Sequence, residues 1–376
     1  MPGKQRILTP AVWAFYLVIV LEFLFMISPL ALHFYASYGP FLNLLHKTPW
    51  SAWLTGFFLP HFSYTTSPLL NVLKPLGFLL ALVGLLLFLM GAVQVYGSKL
   101  FRRGAVTGGL YRLVRHPQYL ALAMLGLGVT LIWPRFFVLF SYLVMLLLYG
   151  VLARWEEARC IEKYGESYRA FQRRTGRFVP RLISEVLPGR REPGGEDSTG
   201  RTLLRYVTIA IVTIVVGFAL REHTLRHITA RYTDHVAILS PALLSDAELE
   251  EAFRLAADDP RTRQLLDNRG AAAPLLAYVV PGEWYLPDLP LHSEEEIRRE
   301  RGGHGTAQEF DRSRYKVLFT RARTHLIDAK GKNIVRWTYG QDPVIIVWVD
   351  LEAGEVLRHV EPPRYVIWGD IPTPLF

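Results

Sequence analysis

Gly109-Leu-Tyr-Arg-Leu-Val-Arg-His-Pro-Gln-Tyr119 is answered further along the chain by Arg154-Trp-Glu-Glu157, and the residues between, Leu120 to Ala153, are almost wholly apolar apart from a break at Pro134-Arg135. An apolar hairpin that enters a bilayer and returns leaves its two ends on the same face. The two ionisable clusters can therefore meet there. Charge beside hydrocarbon is costly, so such clusters mark a functional site by default. The competing reading is that they only anchor helix ends at an interface, as Lys and Arg do. Adjacent carboxylates and a His-Pro corner at one edge are not needed for anchoring.

Working outward, 51% of the 376 residues are hydrophobic, too many for one soluble domain. Several runs reach the roughly 18–20 residues that cross a bilayer. Residues 1–220 hold 22 Lys/Arg against 9 Asp/Glu, net +13, and residues 221–376 hold 20 against 24, net −4. The positive excess thus lies in short loops of the membrane half, the mark of cytoplasmic loops. No basic stripe on a soluble face appears, which argues against nucleic acid as a partner. Cys160 is the single cysteine, which excludes an intrachain disulfide and Cys-rich metal or CxxC redox chemistry.

The first apolar run, about Ala11–His33, follows Lys4 and Arg6 and is too long for a cleaved leader, so it reads as an uncleaved span with a cytoplasmic N-terminus. Glu22 near its midpoint is either a functional carboxylate or a protonated group packed in the bundle. Residues 34–73, aromatic and broken by prolines, read as an extracytoplasmic, partly interfacial connection. The second span, about Leu76–Tyr96, is uncharged and ends in Lys99, Arg102 and Arg103. Its Gly77, Gly84 and Gly91 recur every seven residues, a stripe suited to close helix packing in lipid. Pro117 suits the first turn of a helix. Spans three and four, about Tyr119–Trp133 and Phe136–Ala153, form the hairpin itself. After Glu157 an amphipathic charged stretch runs to Pro180, with Tyr164, Tyr168 and Phe171 as an apolar stripe for the membrane surface or the bundle.

Residues 184–201 are a linker by composition. Residues 202–221 contain a fifth apolar run, Tyr206–Leu220, which either spans or lies in the interface. Residues 222–376 read as a separate soluble α+β domain, placed outside the cytoplasm if the fifth run spans. In it, Ser245-Asp-Ala-Glu248 has the capping-box pattern. Leu275–Val280, Tyr315–Thr320, Val344–Asp350 and Val356–Val360 look like strands, the last two joined at Glu352-Ala-Gly-Glu355 as a hairpin. His292, His304, His325 and His359 lack metal-ligand spacing, and no metal site is expected. The fold expected is an all-α integral-membrane bundle of about five transmembrane helices, spanning residues 1–183 and 202–221, plus the C-terminal α+β domain.

Arg115-His116-Pro117-Gln118-Tyr119, then Glu156-Glu157 and Lys163-Tyr-Gly-Glu-Ser-Tyr168, resembles the isoprenylcysteine carboxyl methyltransferase and phospholipid methyltransferase superfamily over about residues 96–181. The resemblance implies an integral-membrane enzyme that binds S-adenosylmethionine from the cytosol and methylates a lipophilic substrate entering from the bilayer. It assigns His116, Pro117 and Tyr119 to cofactor contact, with Tyr111 as an upstream aromatic contact. Arg103, Gly104, Ala105 and Val106 would supply the preceding backbone contacts, and Glu156 the acidic ligand. The prenylcysteine enzymes carry a substrate-facing Arg one helical turn before that Glu; here the position is Leu152, and the nearest Arg is Arg154. A weaker resemblance links the C-terminal helix and hairpin to small PepSY-type accessory domains.

The residue types suit that cofactor independently. Arg115 or Arg112 can hold a carboxylate, Glu156 or Glu157 can accept from an ammonium or ribose, and Tyr111 or Tyr119 can cover an adenine or face a sulfonium. Gln118 lies within the same corner. Arg154 and Glu157 are the candidate catalytic residues, Glu157 or Glu22 serving as base if the acceptor is an amine or thiol. A carboxylate acceptor needs none. Two other readings remain open on the sequence. Arg-His-Pro-x-Tyr with Cys160-x-x-Lys-Tyr-Gly165 also resembles the C14-type sterol reductases, which would make the chain an NADPH-dependent reductase. A non-enzymatic anchor presenting residues 222–376 as a sensor or assembly domain is the third. The expected location is the inner cell membrane, multi-pass, with the site on the cytoplasmic face.

Overall fold

The computed structural model describes residues 44–61, 63–101, 106–180, 199–268, 273–284 and 310–362. The first predicted span with Glu22, most of the linker, and Arg103, Gly104 and Ala105 lie outside the described residues. The described chain divides into two compact units. One holds Val72–Pro134 and Val138–Gly217; the other holds residues 44–71, Arg135–Phe137 and 218–362.

The first unit is helical. It holds most of α1 (Pro68–Leu100), α2 (Pro117–Ile132), most of α3 (Phe136–Tyr164), α4 (Glu166–Arg174) and α5 (Thr199–His227) as far as Gly217. Among the described residues, three helices are long and apolar enough to cross a membrane, over Pro68–Ser98, Phe136–Tyr164 and Leu203–His227; α2 is apolar but shorter. Leu79, Leu82, Leu86 and Leu89 of α1 and Ile209, Ile211, Val212 and Val215 of α5 are exposed. Apolar surface turned outward on that scale marks a membrane-contacting face.

The glycine stripe of α1 packs against α2, as its seven-residue spacing predicts. A Cβ on Gly84 would sit 2.5 Å from the Leu125 nitrogen and 2.7 Å from the Ala121 carbonyl oxygen, and one on Gly77 would sit 3.0 Å from the Gly128 carbonyl oxygen. Backbones approach that closely only where side chains are missing. The α2–α3 turn falls at the predicted Pro134-Arg135. However, α3 does not stop at Ala153; it continues unbroken to Tyr164, so Glu156 and Glu157 lie inside a helix. Gly165 then takes φ +56°, a left-handed conformation that glycine adopts without strain. It ends α3 and starts α4 in a new direction.

The second unit is an α+β fold. Its sheet runs β1 (Thr229–Tyr232), β2 (Val236–Ser240), β3 (Leu275–Pro281), β4 (Arg314–Thr324), β5 (Thr338–Asp350) and β6 (Glu355–Val360), in that spatial order among the described residues. Only the β2–β3 pairing is parallel. That pairing needs a crossover, supplied by α6 (Asp246–Asp258) and α7 (Pro260–Asn268). The capping box read from Ser245 and Glu248 is present at the start of α6. Leu249, Ala252 and Ala256 of α6 pack on one sheet face with Val279, Val317 and Ile345. The other face buries Leu225 and Ile228 with Leu239, Leu276 and Ile346, and with Ile334 of α8 (Lys332–Trp337).

Candidate active site

The predicted meeting of the two clusters occurs within the first unit. Proline at the first position of α2 leaves His116 as N-cap, and Tyr119 follows one turn later on the same side. From α3, Tyr149, Leu152, Ala153, Glu156 and Glu157 recur at three- and four-residue spacing, one helical face. Tyr119 stacks on Tyr149 with ring centres 5.0 Å apart, and His116 lies 5.6 Å from Tyr119, near parallel. The three rings make a continuous aromatic wall beneath the carboxylates.

The adjacent glutamates have different environments. Glu157 is buried, its side chain 5% exposed. Its Oε1 accepts from Arg115 Nε at 2.8 Å and from Arg177 Nε at 3.1 Å, and lies 3.2 Å from His116 Nε2. Its Oε2 accepts from Arg177 Nη2 at 2.6 Å and from Gln172 Nε2 at 3.4 Å. Glu156, one residue back and about 100° around the helix, has a side chain 42% exposed. Tyr119 Oη donates to its Oε1 at 2.7 Å, and its Oε2 lies 3.4 Å from His116 Nδ1. His116 is therefore held between two carboxylates, one at each ring nitrogen. Burial alone would lower its pKa, but the hydrogen bonds and charges of Glu156 and Glu157 outweigh that and raise it. A doubly protonated ring satisfies both neighbours.

Arg177 and Gln172 are site residues that the sequence reading missed. Once Gly165 redirects the chain, α4 carries Gln172 back to the cluster. The strand-like tail then pairs with the His-Pro corner: Arg115 N–H donates to the Gly176 carbonyl at 2.8 Å and His116 N–H to the Arg177 carbonyl at 3.1 Å. The remaining signal was Gly176 and Pro180 flanking a lone Arg-Phe-Val run after an amphipathic helix, and that pattern has no fixed meaning. Phe178 adds a ring 5.8 Å from His116.

Other predicted residues fall around this core. Tyr111 sits half-buried in a 3-10 turn, Gly109–Arg112. Burial and the charge of Glu156 push its hydroxyl up to about 12. The turn is tied to α1 through Gln94, whose Oε1 accepts from Leu110 N–H at 3.3 Å. Val106 is half-buried where the described loop begins, and Gln118 lies against α1 at Gly91. Arg115 is turned inward on three of its N–H groups: Nη1 donates to the Gln172 carbonyl at 3.0 Å and to the Thr175 carbonyl, in addition to the bond to Glu157. Arg112 is exposed. Arg154 is exposed too and joins no hydrogen bond or ion pair among the described residues. Leu152, at the position of the prenylcysteine enzymes' arginine, is 1% exposed in the core with Tyr119 and Tyr149.

Chemically, the cluster offers a half-exposed carboxylate, a tyrosine hydroxyl, a flat aromatic wall and a cationic ring. Behind them lies a carboxylate already neutralised by protein cations. No curated protein and no solved structure matches the chain. Residues 76–167, which carry most of α1, all of α2 and α3 and the two glutamates, match the phospholipid methyltransferase family, while Gln172 and Arg177 lie beyond the matched segment.

Proposed function

We propose that the chain is an integral-membrane, S-adenosylmethionine-dependent methyltransferase whose methyl acceptor is a carboxylate, amine or thiol on a lipophilic molecule. The observation that carries this reading is Glu156. It is a half-exposed carboxylate fixed by Tyr119 and His116 inside the family-matched segment. A structural carboxylate is buried and saturated, as Glu157 is; Glu156 instead has a side chain 42% exposed.

The donor set fits the cofactor. Glu156 would accept from its ammonium or ribose hydroxyls, Tyr111 would cover a ring or face the sulfonium, and exposed Arg112 is the cation available for its carboxylate. Arg115, the other sequence candidate, is 11% exposed and already donates to Glu157 and two carbonyls. When bound, S-adenosylmethionine supplies an electrophilic methyl group. The protein's own task is to position and exclude water, which for an in-line displacement accounts for most of the acceleration. Glu157 serves as a positioning residue, fixing Arg115, His116 and Arg177 as one rigid corner. Its three cationic neighbours make it a poor base. The three long apolar helices support entry of the acceptor from the bilayer, and the cations flanking the second apolar run, Lys99, Arg102 and Arg103, support a cytoplasmic site.

Calorimetry of the full chain in detergent tests the reading. Binding of S-adenosylmethionine in the micromolar range, weakened in Glu156→Ala, with no binding of NADPH, is the expected result. Binding of NADPH alone, or cofactor affinity untouched by Glu156→Ala, overturns it.

A further inference from the structure

The second unit contains a cavity of about 620 Å³ that shares no residue with the His116–Glu156 cluster. That volume suits a small-molecule ligand, for which pockets run roughly 300–1,000 Å³. One face of α5 contributes Phe218, Arg221, Glu222 and Leu225, at the three- and four-residue spacing of a single helical stripe. Trp53, Phe136, Leu276 and Trp337 complete apolar walls, and Tyr278 and Gln341 add a polar edge. Gln341 Nε2 donates to Tyr278 Oη at 2.8 Å, which ties this edge together.

The charges lining this cavity do not cancel. Arg336 is paired with Glu222, so that pair is neutral overall. Arg221 remains. Its Nη1 donates to the Phe57 carbonyl at 2.7 Å, which uses one of five N–H groups, and no second hydrogen-bond acceptor for it occurs among the described residues. Gly56 makes the seat for this guanidinium: a Cβ there would lie 2.7 Å from Nη1. A half-buried cation with open donors beside aromatic walls is costly unless an anion completes it.

We infer that this cavity binds an amphiphilic monoanion, a carboxylate or phosphate head on an apolar chain, with the head at Arg221 and the chain along Trp53, Phe218 and Trp337. The position of Arg221 and Glu222 directly after the apolar run Tyr206–Leu220 in the sequence fits a ligand drawn from a bilayer.

The test is photolabelling of the full chain in detergent with a palmitate analogue carrying a mid-chain diazirine, adducts being mapped by mass spectrometry. Adducts are expected on the peptides holding Trp53, Phe218 and Trp337. Palmitate or lysophosphatidate should displace the probe at about tenfold lower concentration than hexadecanol, the worth of roughly one charge-assisted hydrogen bond. Preference between those two competitors identifies a fatty carboxylate or a lipid phosphate as the head. Arg221→Gln and Arg336→Gln should each lower labelling of those peptides, with Arg336→Gln and the wild-type competitor ratio deciding if Arg221→Gln does not fold. Equal displacement by hexadecanol, or unchanged labelling in folded variants, overturns the inference.

Discussion

The hydroxyl of Tyr119 donates to Glu156 Oε1 at 2.7 Å across the α2–α3 hairpin. That bond fixes the one accessible carboxylate of the cluster without burying it. Tyr119→Phe keeps the aromatic stack on Tyr149 and removes only the donor. Cofactor affinity should fall about three- to tenfold, in line with a lost hydrogen bond of roughly 0.5–1.5 kcal/mol. The melting temperature should barely move. A large drop in stability with unaltered affinity would assign the bond a purely structural role.

The two glutamates should separate cleanly by what their loss affects. Glu157→Ala strips the shared partner from Arg115, His116 and Arg177, and removing one side of a buried ion pair costs about 3–5 kcal/mol. Glu156→Ala removes a half-exposed group, so stability should change little while cofactor binding weakens by about 1–3 kcal/mol. Denaturation in detergent and calorimetry on both variants measure this. Interchanged outcomes would mean that the ligand-binding carboxylate has been misassigned.

Stability should also depend on pH through His116. Its pKa is raised on folding, so the folded state binds the proton more tightly than the unfolded chain does. The contribution is complete below the ordinary histidine value of 6.5 and is lost as pH rises through the higher folded value. Thermal melts of wild type across mildly acidic to alkaline pH should therefore show a decline that His116→Gln lacks. Identical pH profiles for the two proteins would remove the doubly paired imidazolium.

Helix packing in the first unit rests on missing side chains. Gly84→Ala puts a methyl 2.5 Å from the Leu125 nitrogen, which no rotamer can relieve because the obstacle is backbone. Overpacking of this kind costs about 1–3 kcal/mol. Gly97, whose added Cβ would meet nothing within 4 Å, provides the control: Gly97→Ala should be neutral or slightly stabilising. Equal melting temperatures for the two variants would contradict the close α1–α2 contact.

What the sequence determined by itself was the arrangement that local chemistry enforces. Apolar length with a Pro-Arg break gave the α2–α3 hairpin. The seven-residue glycine spacing gave a packing stripe, Ser245 and Glu248 gave the start of α6, and strand-like runs gave β3 to β6. The hairpin also implied that His116 and the Glu156-Glu157 pair would meet, because a two-helix excursion brings its ends together. β1 and β2 were not legible, since four or five residues of strand carry too little pattern. Nor was the grouping of residues 44–71 with the sheet, which rests on contacts remote in sequence.

Only the tertiary structure decided which glutamate is buried and which stays at the edge. Neighbours on a helix point about 100° apart, and nothing in the pair itself says which direction is inward. The answer came from Gly165, whose left-handed backbone returns Gln172 and Arg177 to the His-Pro corner. Their charges, together with Arg115, make burial of Glu157 affordable and leave Glu156 at the edge. Arg115, a candidate ligand-binding residue on the sequence, is turned onto Glu157 and two backbone carbonyls for the same reason. A side chain's role follows from its partners, and these partners come from a segment whose return path the linear pattern does not encode.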